Sequence, residues 1–106
     1  MSDAFRFDAE AGSLTLQGEL TIYQISEATE ALRSATDSGQ LRLIDLAGVS
    51  ELDTAGLQWL LLAKRLPTAD ESVVMLVNHS DHVRGLIRLA GLSATLDIAD
   101  REQVNP

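Results

Sequence analysis

Two short segments carry residue types that could do chemistry. The first is Asp53-Thr54-Ala55-Gly56-Leu57, where a carboxylate and a hydroxyl stand side by side ahead of a leucine run. That pairing suits the start of a helix. Asp53 can accept from free backbone N–H groups as an N-cap, and Thr54 adds a hydroxyl to the same end. The second is His79-Ser80-Asp81-His82. Its two histidines are three apart, but no third metal ligand is evident. Neighbours in sequence rarely reach triad geometry, whereas Ser80 and Asp81 make good capping chemistry. Asp45, at the end of an apolar run, invites comparison with a phosphoacceptor. Such a site needs further acids and a late lysine, and the one lysine, Lys64, falls inside a predicted helix. Asp45 therefore reads as a loop-fixing residue that holds the backbone ahead of Asp53. No Gly-x-x-x-x-Gly-Lys or Gly-x-Gly-x-x-Gly is present, so nucleotide binding has no motif behind it.

The whole chain sets bounds on this chemistry. Its 106 residues suit one domain, expected over 1–106 with a core at about 5–98. A composition of 45% hydrophobic and 23% charged residues is that of a folded protein. The net charge is −8. That argues against nucleic acid and against docking on anionic lipid by charge. The absence of cysteine excludes disulfides, thiolate metal sites and cysteine catalysis. No apolar run is long enough to span a membrane, and no signal peptide is visible. A cytoplasmic protein without cofactor or metal is expected. Acid is concentrated early: residues 1–53 carry ten acids and three bases, residues 54–106 six and five. The second half is thus the expected place for a surface that meets another protein.

Periodicity supplies the elements that position Asp53. Phe5-Arg6-Phe7 alternates as a strand, Ala11-Gly12 reads as a turn, and Ser13 to Leu20 alternates again. A hairpin over 4–18 follows. Thr21 and Gln24 fit a capping box. Ile25, Ala28, Leu32 and Ala35 then make one helix face, ended by Gly39. Leu41 to Leu46 predicts a buried strand and Gly48 to Leu52 a loop. Thr54 to Leu66 predicts a helix capped by Asp53 and stopped by Pro67. Ser72 to Val77 reads as a central strand buried on both faces. Ser80 caps a third helix, with Val83, Leu86, Ile87 and Ala90 inward and Gly91 as its stop. Leu96 to Ile98 reads as a last short strand. The order β-β-α-β-α-β-α-β predicts an α/β fold: a small, mainly parallel or mixed sheet with covering helices. Functional groups in such sheets lie at the carboxyl ends of strands, which points to residues 45–58.

The run from Asp45-Leu46 through Asp53-Thr54-Ala55-Gly56-Leu57 resembles the signature of STAS domains, a family that includes the bacterial anti-sigma factor antagonists. Gly18-Glu19-Leu20, Val77-Asn78 and Gly91-Leu92 extend the resemblance over roughly residues 5–98. It implies a small α/β domain that binds proteins and turns nothing over. In many members a partner kinase phosphorylates the serine just before the glycine. The matching position here is Ala55, which has no hydroxyl, so the usual switch is absent from its usual place. Thr54, one residue earlier, is the phosphorylation candidate, with helix capping or direct partner contact as its other readings.

The helix itself points to binding. Spaced at 100°, Leu57, Trp59, Leu60, Leu61, Leu62, Ala63 and Leu66 sweep roughly 260° of its circumference, far beyond the stripe of about 100° that one sheet face needs. Some of these residues should stay exposed, with Leu62, beside Gln58, the best candidate. The expected docking surface is Asp53, Thr54, Ala55, Gly56, Leu57, Gln58 and Leu62. The expected partner is an anti-sigma kinase or another cytoplasmic signalling protein. Two alternatives stand beside it. Some STAS domains support the ATPase of a lipid-transport ABC complex, and they share Asp-Thr followed by a small residue and glycine. Others act as adaptors in chemotaxis signalling.

Overall fold

The structure is a computed structural model and describes residues 4–66, 68 and 73–96. Alternation builds its sheet. β1 (Phe5–Asp8) and β2 (Ser13–Leu20) form an antiparallel hairpin in the register Phe5↔Leu16 to Asp8↔Ser13. Asp8 turns the chain by accepting from the N–H of Glu10 at 3.0 Å. β3 (Leu43–Leu52) runs parallel to β2, and β4 (Met75–Val77) parallel to β3, giving the strand order β1-β2-β3-β4. The connections are α1 (Ile25–Asp37), α2 (Thr54–Lys64) and, after β4, α3 (Asp81–Leu89). This is the expected α/β fold with a mixed sheet.

One face of the sheet holds the core. Leu14, Leu16 and Leu20 of β2 and Ile44, Leu46, Val49 and Leu52 of β3 are buried together with Ala28, Leu32 and Ala35 of α1, Trp59, Leu60 and Ala63 of α2, and Val83 and Ile87 of α3. Full burial of each large aliphatic side chain stabilises the fold by about 1.5–3 kcal/mol. Helix ends follow the residues foreseen. Gly39 takes φ +73° one residue after the C-cap Ser38. Gly91 takes φ +76°, and the N–H of Leu92 reaches back to the carbonyl of Ile87 at 3.0 Å, so α3 closes in a Schellman motif. Ser80 caps α3 by accepting from the N–H of Val83 at 3.2 Å.

Several boundaries differ from expectation. Gly48 to Leu52, expected as a loop, continues β3 to its tenth residue, because the parallel partner β2 supplies hydrogen bonds as far as Leu20↔Leu52. Two register shifts against β2 each place an extra residue on β3, between Asp45 and Gly48 and between Val49 and Glu51, and break the alternation that would have revealed it. The strand expected from Ser72 is only Met75 to Val77 within the described residues. It is an edge strand, with Met75 57% exposed, since nothing pairs on its outer side among the described residues. α1 starts at Ile25, not just after Thr21. The Thr21–Gln24 box closes, but around a separate turn in which the N–H of Gln24 bonds the carbonyl of Thr21 at 2.9 Å. α2 ends at Lys64, two residues early. Leu96, expected to begin a last strand, lies in a turn. Asp97, Ile98 and Pro67 lie outside the described residues.

Candidate functional site

β2 and β3 end side by side, so the chain segments that follow them emerge together at the carboxyl edge of the sheet. Asp53 ties these two segments. Its Oδ1 accepts from the N–H of Gly56 at 2.9 Å, which caps α2. Its Oδ2 accepts from the N–H of Ile22 at 2.9 Å, which holds the β2–α1 loop. The Gly56 N–H, and after it the Ile22 N–H, keep the Asp53 carboxyl below the usual carboxylate range. The loop is also braced internally. Gln24 Oε1 accepts from the Thr21 N–H at 3.0 Å and from the Thr21 hydroxyl at 2.6 Å.

Gly56 shows why the segment needs its glycine. A Cβ there would run into the carbonyl oxygen of Leu20 and come within 2.7 Å of Leu52 Cδ1. The start of α2 therefore lies directly on the end of β2, closer than any side chain permits. From this fixed start, Thr54, Gln58 and Leu62 fall four residues apart, a nearly straight line along one side of α2. All three are exposed, Leu62 by 46%. Ala55, Leu57 and Leu61 are half-buried, and Gly56, Trp59, Leu60 and Ala63 are buried. The wide apolar sweep of α2 thus resolves into a core side and one open line.

Other candidates fall into supporting roles. Asp45 Oδ1 accepts from the Ala47 N–H at 2.9 Å and its Oδ2 from Asn78 Nδ2 at 3.2 Å. It fixes its own strand and the loop after β4. His82 Nε2 lies 3.3 Å from Glu51 Oε1, and Arg84 reaches Asp81 at 2.6 Å. Glu51 is held below the usual range first by the N–H of Leu52 and then by His82. Ser80, Asp81 and His82 thus have separate structural partners. Among the described residues no three His, Asp or Glu side chains gather where a metal could sit.

A family model described as Mlab, STAS domain matches residues 4–98. The chain belongs to the STAS family. The fold of this STAS domain is also similar to a solved structure of the anti-sigma factor antagonist SpoIIAA in its unphosphorylated form. The two are 21% identical, with a TM-score of 0.59 over 81% of this chain and 83% of that one. Among curated proteins none matches.

The STAS domain also displays two residues that sequence reasoning passed over. Ile22 is 67% and Tyr23 89% exposed, on the loop that Asp53 holds. A capping box at Thr21 put both inside the first helical turn. The available signal is that Tyr23 falls off the Ile25-Ala28-Leu32-Ala35 face. In addition, Glu19 and Glu51 are register partners at the ends of β2 and β3, a neighbour relation visible only once the strands pair.

Proposed function

We propose that this STAS domain is a non-enzymatic regulatory module, in one domain, that docks on a cytoplasmic protein partner through the loop and helix opening at Thr54. The observation that carries the reading is the exposed line Thr54, Gln58 and Leu62, rising from a helix start that Asp53 and Gly56 fix against β2. A rigid start lets the partner meet a preformed surface. Ala55 offers no hydroxyl, so control by phosphate at that position is absent. Thr54 keeps an exposed hydroxyl at a helix N-terminus, where a phosphate is tolerated by the free N–H groups and would disturb a packed interface. The partner in this reading is an anti-sigma kinase or similar signalling protein.

The test is affinity capture from the native cell, with mass spectrometry of the partner and of the Thr54 peptide, followed by titration of the purified pair. Thr54→Glu is expected to weaken binding by about tenfold or more. Unchanged affinity sinks the docking surface. A second reading, a stable subunit on the ATPase of a lipid-transport ABC complex, is favoured by Asp53-Thr54-Ala55-Gly56, a segment without the usual phosphoacceptor. Co-purification with a membrane ATPase, with Thr54 unmodified, would select it. Reversible capture of a soluble kinase would select the first.

A further inference from the structure

The docking reading concerns α2, but the most exposed aromatic on the described surface belongs to the neighbouring loop. Tyr23 at 89% and Ile22 at 67% project from a segment whose backbone is fixed at both ends. Asp53 holds the Ile22 N–H, and Thr21 with Gln24 closes the turn around it. A bulky apolar pair on a braced loop is costly to leave in water and loses little freedom on binding. Tyrosine, with tryptophan and arginine, is among the residue types enriched at the energetic anchors of interfaces.

The charge around this pair has one sign. Residues 7–32 and 43–63, which build β2, its loop, β3 and α2 up to Ala63, contain no lysine or arginine. They carry Glu19, Glu51 and Asp53 at the carboxyl edge of the sheet. Glu19 and Glu51 are register partners on adjacent parallel strands, and like charges in that relation weaken a sheet. Of the two, Glu51 has His82 Nε2 at 3.3 Å. Asp53 and Glu51 each accept a backbone N–H within the domain, but the Glu19–Glu51 juxtaposition itself is unfavourable, and a cationic surface placed against it would relieve it.

We propose that Ile22 and Tyr23 are the anchor of the docking surface, and that the partner is a protein face with an apolar pocket rimmed by arginine or lysine. This rests on the docking reading above and extends its surface from α2 onto the β2–α1 loop. Tyr23 fills the pocket, with a guanidinium or ammonium over its ring. Glu19, Glu51 and Asp53 meet the basic rim and speed encounter.

The experiment starts with Tyr23→p-benzoylphenylalanine in the native cell, photo-crosslinking, and sequencing of the crosslinked peptide. The captured protein is then purified and titrated against the wild type, Ile22→Ala, Tyr23→Ala and Thr54→Glu. Leu89→Ala serves as the control, because Leu89 is 86% exposed at the far end of α3. The expected result is a crosslink to a peptide containing lysine or arginine on a different protein. Ile22→Ala and Tyr23→Ala should each weaken binding at least about tenfold with unchanged melting temperature, and Leu89→Ala should have no effect. Raising KCl from about 0.05 to 0.5 M should lower affinity by about tenfold or more. A crosslink only to a second copy of this chain, only to lipid, or to nothing overturns the proposal. So does affinity that ignores salt or ignores both alanine variants. If Thr54→Glu still weakens binding in those cases, the α2 surface survives and only this anchor is wrong. If Thr54→Glu has no effect while Tyr23→Ala does, the α2 surface is the part that fails.

Discussion

At the scale of single residues, Asp53 and Gly56 do different jobs for one purpose. Gly56 removes a side chain so that α2 can start on the carbonyl end of β2. Gly56→Ala should therefore destabilise the fold by about 1–3 kcal/mol through backbone displacement, although alanine favours helix. Urea denaturation reads this as a lowered midpoint, and an unchanged midpoint would mean that the contact is not tight. Asp53 joins two segments through one carboxylate, and its lowered pKa sets a pH signature. The unfolded chain takes up that proton more readily, at about pH 3.9. The stabilisation is thus complete above that pH and is lost as pH falls through the folded value. Asp53→Asn has no such titration. The stability gap between wild type and Asp53→Asn should shrink as pH is lowered from about 6 to 3. A gap independent of pH would show that the ionised form is not what holds Ile22 and Gly56. Glu51, also lowered, adds to the same acid limb with the same sign.

At the scale of elements, α2 separates core from surface within one turn. Leu60 is fully buried and Leu62, two residues on, is 46% exposed. Leu60→Ala should cost about 2–5 kcal/mol in denaturation, and Leu62→Ala no more than about 0.5 kcal/mol. Comparable losses at both would mean that Leu62 is covered after all. This division was partly legible in advance. The periodicity of α2 exceeds what one sheet face can bury, so an exposed leucine is required, and the spacing from Gln58 indicates Leu62. The Asp53 cap, the Gly39 and Gly91 stops and the hairpin were legible because each depends on residues close in sequence. The length of β3 was not, because its last residues take their pairing from β2 across bulges that hide the alternation. Met75 on an edge was not either: apolar composition distinguishes a buried strand from an exposed one only when its neighbours are known. Ile22 and Tyr23 stayed hidden for a third reason. The capping box at Thr21 is real, but it closes a turn and not the helix, and that distinction rests on Asp53, 31 residues from the Ile22 it holds.

At the scale of the whole molecule, the dominant quantity is a net charge of −8, most of it within the first half of the chain. Folding brings those acids together, as in Glu19 beside Glu51. Of the attractive pairs that oppose this, Arg33–Glu30 (66% and 68%) and His82–Glu51 (55% each) are exposed, and in Arg84–Asp81 the arginine is 15% and the aspartate 76% exposed. Exposed pairs of this kind contribute little. Repulsion should therefore outweigh attraction, and screening should stabilise the fold. The Debye length falls from about 30 Å at 0.01 M salt to well under 10 Å at 0.5 M. The melting temperature should rise by several degrees as KCl is raised across that range at pH 7. A fall would mean that the ion pairs carry more stability than their exposure implies. The same titration has the opposite sign for a basic-rimmed partner, whose attraction to the acidic edge is screened as the domain itself becomes more stable. Loss of affinity alongside a rising melting temperature would separate a weakened interface from a weakened fold in one series of samples.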